Sequence, residues 1–73
     1  MSTIVFYVYI LRSLNFPKKI YIGKTNNLKE RFSVHNTGGS QYTAPDRPWK
    51  IVSYHAFEDE YTAAHFEKYL KSG

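Results

Sequence analysis

The side chains of this 73-residue chain that could do chemistry are phenols and a few isolated charged groups. Tyr9 and Tyr21 lie in two segments rich in β-branched and aromatic residues. A phenol can donate to a phosphate oxygen, hold a water, or act as a base when a cation or metal lowers its pKa. The two rings can equally form a cross-strand pair that only stabilises a sheet. Lys24, directly after Gly23, is either an ordinary loop lysine or a cation that reaches the two tyrosine hydroxyls.

Glu67 is the most informative charged residue, because it falls within the apolar stripe of a predicted helix. The stripe consists of Ala63, Phe66, Glu67 and Leu70. A carboxylate on the core-facing side must be matched by a cation, a metal or a proton, since burying it unpaired is costly. Alternatively, the stripe is rotated and Glu67 lies at its edge, in contact with water. Lys68 and Lys71 are expected to point away from the stripe.

An earlier predicted helix offers a matching cation. Arg31 and His35 are i, i+4 neighbours, and Arg31 borders the apolar face that contains Phe32. From this border Arg31 could extend over the sheet, or it could be a solvated arginine tied to Glu30 or Asn27. His35 is either a base or a structural histidine at the helix end and core edge.

Three predicted strands must position these groups. Residues 3–11, 19–23 and 49–57 are rich in β-branched and aromatic residues, and turn residues separate the first two segments. Because side chains alternate along a strand, Tyr9 and Tyr21 should share one face of the sheet. One register of this hairpin makes the two tyrosines direct neighbours.

Two predicted helices complete the order β-β-α-β-α. Residues 25–27 offer N-cap side chains for the first helix, which the glycines at 38–39 end. The acidic residues 58–60 open the second helix, where they suit the positive end of its dipole. Residues 40–48 predict an exposed loop. We therefore expect one α+β domain over residues 1–73.

Composition excludes several classes of protein. The chain has no cysteine, which excludes a disulfide framework, a thiolate zinc site and a cysteine nucleophile. No apolar run approaches the length of a membrane span and no signal-peptide pattern is present, so we expect a soluble cytoplasmic protein. Ten Lys and Arg against six Asp and Glu give a net charge of +4, and 18% of residues are aromatic. This combination favours nucleic acid as the partner.

The motif Tyr7-Val8-Tyr9, followed by Tyr21-Ile22-Gly23, Lys24, Arg31 and Glu67, resembles the GIY-YIG nuclease superfamily. The similarity spans essentially the whole chain and is closest to small stand-alone bacterial members, in which a residue such as Tyr7 often replaces the leading glycine. It implies a three-stranded antiparallel sheet flanked by helices. It also implies that this sequence is slightly short for the family at its C-terminal end, because many relatives carry a further polar residue beyond the metal-binding helix.

The resemblance implies roles for individual residues. Tyr9 would be the general base or would orient the attacking water, and Tyr21 would hydrogen-bond the scissile phosphate or the water. Arg31 would neutralise charge on the pentavalent phosphate. Glu67 would be the sole protein ligand of one Mg²⁺ or Mn²⁺, whose other ligands are water and phosphate oxygens.

The resemblance also implies supporting roles for four further residues. Lys24 would assist on the leaving-group side and bind substrate together with Arg31, and His35 is a weaker catalytic candidate. Tyr7 and Gly23 are the remaining substrate-binding candidates, because Gly23 would let the chain pass close to the substrate backbone.

The implied activity is metal-dependent endonuclease hydrolysis of phosphodiester bonds, with DNA as the expected substrate, in repair or processing. One metal site would nick one strand, without an organic cofactor or a membrane. The alternative is a nucleic-acid-binding module with little or no catalysis. The residues do not distinguish DNA from RNA, and they indicate no oligomeric state.

Overall fold

A three-stranded antiparallel sheet flanked by two helices forms the protein, as predicted. The structure is a computed structural model and describes residues 4–72. Its elements are β1 (Phe6–Ser13), β2 (Ile20–Thr25), α1 (Leu28–Thr37), a 3-10 turn (Ala44–Asp46), β3 (Trp49–Phe57) and α2 (Glu60–Ser72). The strand order is β2-β1-β3, so the most apolar strand is central and both its faces can be covered.

Strand boundaries differ from the prediction at the hairpin. β3 has the predicted bounds, whereas β1 begins only at Phe6 and β2 continues past Gly23 to Thr25. Thr25 is in the sheet because it pairs with Tyr7 of β1. Residue 3 of the predicted first strand lies outside the described residues.

The helices begin and end at recognisable caps. The side chain of Asn27 accepts from the Glu30 backbone N–H at 3.2 Å, and Gly38 ends α1 at φ 85°, in the left-handed region that glycine favours. α2 begins at Glu60 rather than at residue 58, because the Asp59 carboxylate accepts from the Thr62 backbone N–H at 2.8 Å. In residues 4–72, no helix combines the length and the apolarity that a membrane crossing requires.

The two helices cover opposite faces of the sheet. On the face covered by α1, a core of Tyr9, Leu11 and Trp49 packs against partly buried side chains. These side chains are Tyr21, Leu28, Phe32 and Ile51. On the face covered by α2, Val8 and Ala63 are fully buried. Phe66 of α2 packs there against His55 and Phe57, with ring centroids 4.8 and 5.4 Å apart.

The loop predicted to be exposed, residues 40–48, is partly buried. Thr43 is 1% exposed, and its carbonyl accepts from the indole Nε1–H of buried Trp49 at 2.9 Å. The side-chain amide of Asn36 adds a second link, since its Nδ2 donates to the Trp49 carbonyl at 3.0 Å and its Oδ1 accepts from the Trp49 N–H. The prediction of exposure holds for residues 41–42, 45 and 47–48 and is wrong for Thr43, whose long-range bond to Trp49 holds it in the core.

Replacing Asn36 with alanine should therefore destabilise the fold. The substitution leaves the N–H and carbonyl of Trp49 without their side-chain partner, which should lower the free energy of unfolding by about 1–3 kcal/mol. Urea unfolding measures the change. Asn15→Ala is the matched control, because the Asn15 amide is exposed and its bond to the Arg47 carbonyl is 3.4 Å long. Equal losses in both variants would contradict the bridging role of Asn36.

Candidate active site

The phenol ring of Tyr9 lies over the backbone of Gly23, its direct partner in β2. Tyr9 is only 1% exposed. A Cβ atom at position 23 would lie 2.5 Å from Cζ of Tyr9 and 2.9 Å from Cε2 of Tyr21. Real Cβ atoms do not approach other atoms so closely, so only glycine fits opposite Tyr9. The space that we expected Gly23 to leave for substrate is filled by the Tyr9 ring.

This packing also corrects the predicted register. Tyr21 pairs with Leu11, so Tyr9 and Tyr21 are diagonal neighbours on one face rather than direct partners. Their ring centroids are 6.2 Å apart. The shared face was predicted correctly, because a shift of two residues preserves the face. The register differs because a second tyrosine cannot occupy the position that the Tyr9 ring covers.

His35 connects Tyr9 to the loop before β3. The histidine is fully buried, its Nε2 is hydrogen-bonded to the Tyr9 hydroxyl at 2.9 Å, and its Nδ1 to Thr43 Oγ1 at 2.8 Å. Its ring centroid also lies 4.8 Å from that of Tyr21. Burial, and secondarily the positive charge of Arg31, lower the pKa of His35 below its ordinary value of 6.5. The imidazole is therefore neutral at pH 7.

The guanidinium of Arg31 faces the hydroxyls of Tyr9 and Tyr21. The neighbouring Tyr9 hydroxyl is the main cause that raises the pKa of Arg31, which stays charged. Burial raises the pKa of Tyr9 above its ordinary value of 10.0, and the neighbouring Arg31 only partly opposes this rise. Within residues 4–72, Arg31 forms no ion pair. We considered a local tie of Arg31 to Glu30 or Asn27. Instead, the Asn27 side chain donates to the Glu30 carboxylate, which leaves the half-buried Arg31 available to an anion.

Glu67 lies at the rim of the buried stripe of α2. Its side chain is 21% exposed and forms an ion pair with Lys71 at 3.1 Å. The prediction that Lys71 points elsewhere is therefore wrong, because the i, i+4 spacing brings the two charges together. Although α2 covers the other face of the sheet, the charge of Glu67 contributes to raising the pKa of Tyr9. Glu67 thus lies within electrostatic reach of the Tyr9 hydroxyl.

The donor set suits only some metals. Within the described part of the chain, no three His, Cys, Asp or Glu side chains are grouped to hold an ion. A single carboxylate such as Glu67 fits Mg²⁺ or Mn²⁺, which are hard cations that retain several waters. It does not fit a structural zinc ion, which needs four protein ligands.

Lys24 and Tyr7 lie apart from this cluster. Lys24 pairs with Val8 on the face covered by α2, and it forms an ion pair with Glu60 at 3.1 Å. Tyr7 packs edge-to-face against Tyr54 at 6.0 Å. Both rings line an open groove of about 500 Å³ beside α1. The structure therefore brings Tyr9, Tyr21, Arg31 and His35 together, and leaves Lys24 and Tyr7 at the periphery.

Sequence reasoning missed Thr43. It lies eight residues after His35, in a run of polar residues and prolines that is typical of an exposed loop. No local pattern distinguishes a buried threonine in such a run, since only the fold brings it to His35.

Comparisons with known proteins identify the family of this chain. The family model described as the GIY-YIG catalytic domain matches residues 5–73. A UPF0213 protein of Clostridium perfringens is 41% identical over 66 residues, which cover 89% of this chain and 69% of that protein. The structure-specific endonuclease subunit SLX1 of Candida dubliniensis is 40% identical over 71 residues, 88% of this chain but only 25% of that subunit.

A solved structure matches as well. The solution NMR structure of a UPF0213 protein from Bacillus halodurans aligns with a TM-score of 0.58 and 30% identity, over 94% of this chain and 72% of that one. The fold and the paired tyrosine motifs thus define a GIY-YIG nuclease domain. The chain belongs to the GIY-YIG family, and its relatives include bacterial UPF0213 proteins.

Substituting Gly23 with alanine tests the packing of Tyr9. The added methyl group would overlap the Tyr9 ring, which is buried and cannot swing into solvent, so we expect a loss of about 1–3 kcal/mol in urea unfolding. The matched control is Gly39→Ala, whose methyl group would approach nothing closer than the Val34 side chain, at 3.1 Å. If Gly23→Ala costs no more than Gly39→Ala, the ring does not lie over Gly23.

Acid should destabilise the protein through His35. The unfolded chain takes up a proton near the ordinary pKa of 6.5, whereas the folded chain takes it up only at lower pH. The free energy of unfolding should therefore fall as pH drops below about 6.5, by at most about 1.4 kcal/mol per pH unit from this group. His35→Gln should flatten this loss. His65→Gln, which removes an exposed histidine of α2, should preserve it. Parallel curves for wild type and His35→Gln would refute the assignment.

Proposed function

We propose that this domain is a metal-dependent endonuclease that hydrolyses phosphodiester bonds in DNA. The observation that carries the proposal is the buried hydrogen bond between Tyr9 and His35 beside the cation of Arg31, which forms no ion pair within residues 4–72. Attack of water on a phosphate requires a proton acceptor and a cation that binds the anion, and both lie next to the Tyr9 phenol. A purely structural tyrosine pair needs neither.

Tyr9 acts as the general base through His35. Its raised pKa keeps the phenol protonated, so the phenol alone cannot remove a proton from water. When water attacks phosphorus, its proton moves to the Tyr9 oxygen while the phenolic proton moves to Nε2 of His35. The O–H bonds of the water and the phenol break as a new phenol O–H bond and an imidazole N–H bond form, so the imidazole ends protonated. The water oxygen bonds to phosphorus as the P–O bond to the leaving oxygen breaks, and that oxygen takes a proton from solvent. His35 is suited to this transfer because it is neutral at pH 7 and lies 2.9 Å from the hydroxyl.

Arg31 and Tyr21 stabilise the negative charge that develops on the phosphate. Arg31 offers several N–H donors and keeps its charge, and the Tyr21 hydroxyl adds a neutral donor on the same side. Because Arg31 is already held beside both phenols, little reorganisation is needed when the pentavalent phosphate forms.

Glu67 would hold the metal as its only protein ligand. A bound Mg²⁺ or Mn²⁺ supplies charge stabilisation at a phosphate oxygen. The Glu67 carboxylate would then exchange its partner, since it now pairs with Lys71. That exchange would release the Lys71 ammonium from its ion pair with Glu67.

Lys24 and Tyr7 bind substrate outside the reacting atoms in this proposal. Lys24 contributes a charge near β2 for the leaving-group side, and Tyr7 offers a ring in the groove that it shares with Tyr54. A single metal site implies that one strand is nicked in each encounter. The SLX1 relatives are described as structure-specific endonuclease subunits, which supports a substrate that is recognised by its structure. Branched or flapped DNA, in repair or processing, is the substrate that we propose.

Removing the Glu67 carboxylate tests the activity. Supercoiled plasmid, branched duplexes and single-stranded DNA and RNA are incubated with the protein and Mg²⁺ or Mn²⁺, with EDTA in parallel. Glu67→Gln should reduce nicking by at least about 100-fold, because losing the metal forfeits several kcal/mol of charge stabilisation. Glu58→Gln, which changes an exposed carboxylate just before α2, should cut at the wild-type rate.

Two outcomes contradict the proposal. Nicking that survives in both EDTA and Glu67→Gln would exclude the metal assignment. Tight binding to the same substrates without cleavage by the wild type, with either metal, would instead establish a binding module.

A further inference from the structure

Thr43 is the second hydrogen-bonding partner of the buried His35. It lies in the loop between α1 and β3, is 1% exposed, and has its Oγ1 2.8 Å from Nδ1 of His35. Its backbone is held at two points. The carbonyl accepts from Trp49 Nε1–H at 2.9 Å, and the N–H donates to the Ser40 carbonyl at 3.2 Å. The hydroxyl is therefore presented to His35 by a loop that is anchored to the core.

The direction of each hydrogen bond follows from which groups can donate. Thr43 Oγ1 has a second acceptor besides His35, because it lies 3.5 Å from the Ser40 carbonyl, which only accepts. With its hydrogen directed there, Oγ1 accepts from His35 and Nδ1 carries the imidazole hydrogen. A neutral imidazole has one N–H, so Nε2 is left with a lone pair that faces Tyr9.

The hydrogen bond between Tyr9 and His35 leads to the same tautomer independently. The Tyr9 hydroxyl also faces the guanidinium of Arg31, which only donates and so offers the phenolic hydrogen no acceptor. The phenolic hydrogen therefore needs an acceptor, and Nε2 of His35 lies 2.9 Å away. If Nε2 carried the hydrogen instead, the phenolic O–H would be buried without this acceptor.

We propose that Thr43 is a positioning residue of this site, whose buried hydroxyl holds His35 in the tautomer that accepts the hydrogen of Tyr9. The tautomer itself is a property of the folded chain. Its consequence for catalysis rests on the proposed function, in which Nε2 receives the phenolic proton. Thr43 touches no reacting atom and acts only through His35.

Two variants of the full chain separate this role from simple packing. Thr43→Val keeps the shape of the side chain and removes the hydroxyl, whereas Thr43→Ser keeps the hydroxyl and removes a methyl group. In ¹⁵N-labelled protein, long-range ¹H–¹⁵N correlations of the His35 ring distinguish the Nδ1–H from the Nε2–H tautomer. Wild type and Thr43→Ser should show Nδ1–H. Thr43→Val should lose this preference.

The same variants are assayed on the plasmid substrate with Mg²⁺ or Mn²⁺. Thr43→Val should lower the cleavage rate at least about tenfold, as expected when an orienting partner of a catalytic histidine is removed. Thr43→Ser should restore most of the rate. Packing alone predicts the opposite order, because the valine variant preserves the buried volume better.

The spectra decide the inference whether or not the protein cuts DNA. An Nε2–H tautomer in the wild type overturns it, even if Thr43→Val fails to fold. An unchanged Nδ1–H tautomer in folded Thr43→Val also overturns it. A wild type that cleaves nothing but shows the Nδ1–H tautomer, which Thr43→Val then loses, refutes the proposed function and supports the positioning role.

Discussion

The buried hydroxyl of Tyr9 is the constraint on which the rest of the structure depends. A phenol removed from water needs a hydrogen-bond partner, since an unsatisfied buried polar group costs about 1–3 kcal/mol. Its ring also needs space, which it obtains because Gly23 has no side chain. The first requirement determines where α1 must present His35. The second requirement places glycine at the β2 position opposite Tyr9, and so determines the register of the hairpin.

This constraint is costly for so short a chain. Tyr9, His35 and Thr43 are among the largest fully buried side chains of residues 4–72, alongside Leu11 and Val8. A core of this size stabilises more when it is wholly apolar, because polar groups only break even after their bonds are made. Within the described residues every buried side-chain nitrogen and oxygen has a partner, which makes the network rigid. Such precise polar packing at the centre of a small fold is better explained by function than by stability.

Local patterns predicted the helices, the strands and their faces. Long-range packing determined the hairpin register, the ion pair of Glu67 and the burial of Thr43. Alternation placed Tyr9 and Tyr21 on one face, because a strand has a period of two residues. It could not choose the register, since a shift of two residues keeps the face and only the fit of the Tyr9 ring decides. Helical spacing found Glu67, yet its pairing with Lys71 required the actual side-chain directions. Thr43 could not be found, because its burial follows from bonds to Trp49 and Ser40 that form only when the loop packs.

The charges around Tyr9 distinguish an enzyme from a binding module. A surface that only binds phosphate gains from Arg31 and loses from Glu67, since like charges repel across a few ångströms. Glu67 opposes ionisation of Tyr9, so its negative charge acts on the phenol beside which the phosphate is proposed to bind. Pairing with Lys71 softens this repulsion but places a second charged group at the same rim. A divalent cation removes the conflict completely, because it attracts the carboxylate and the phosphate together. A carboxylate that acts on the same phenol as Arg31 is therefore easier to explain if the domain cuts phosphodiester bonds than if it only holds them.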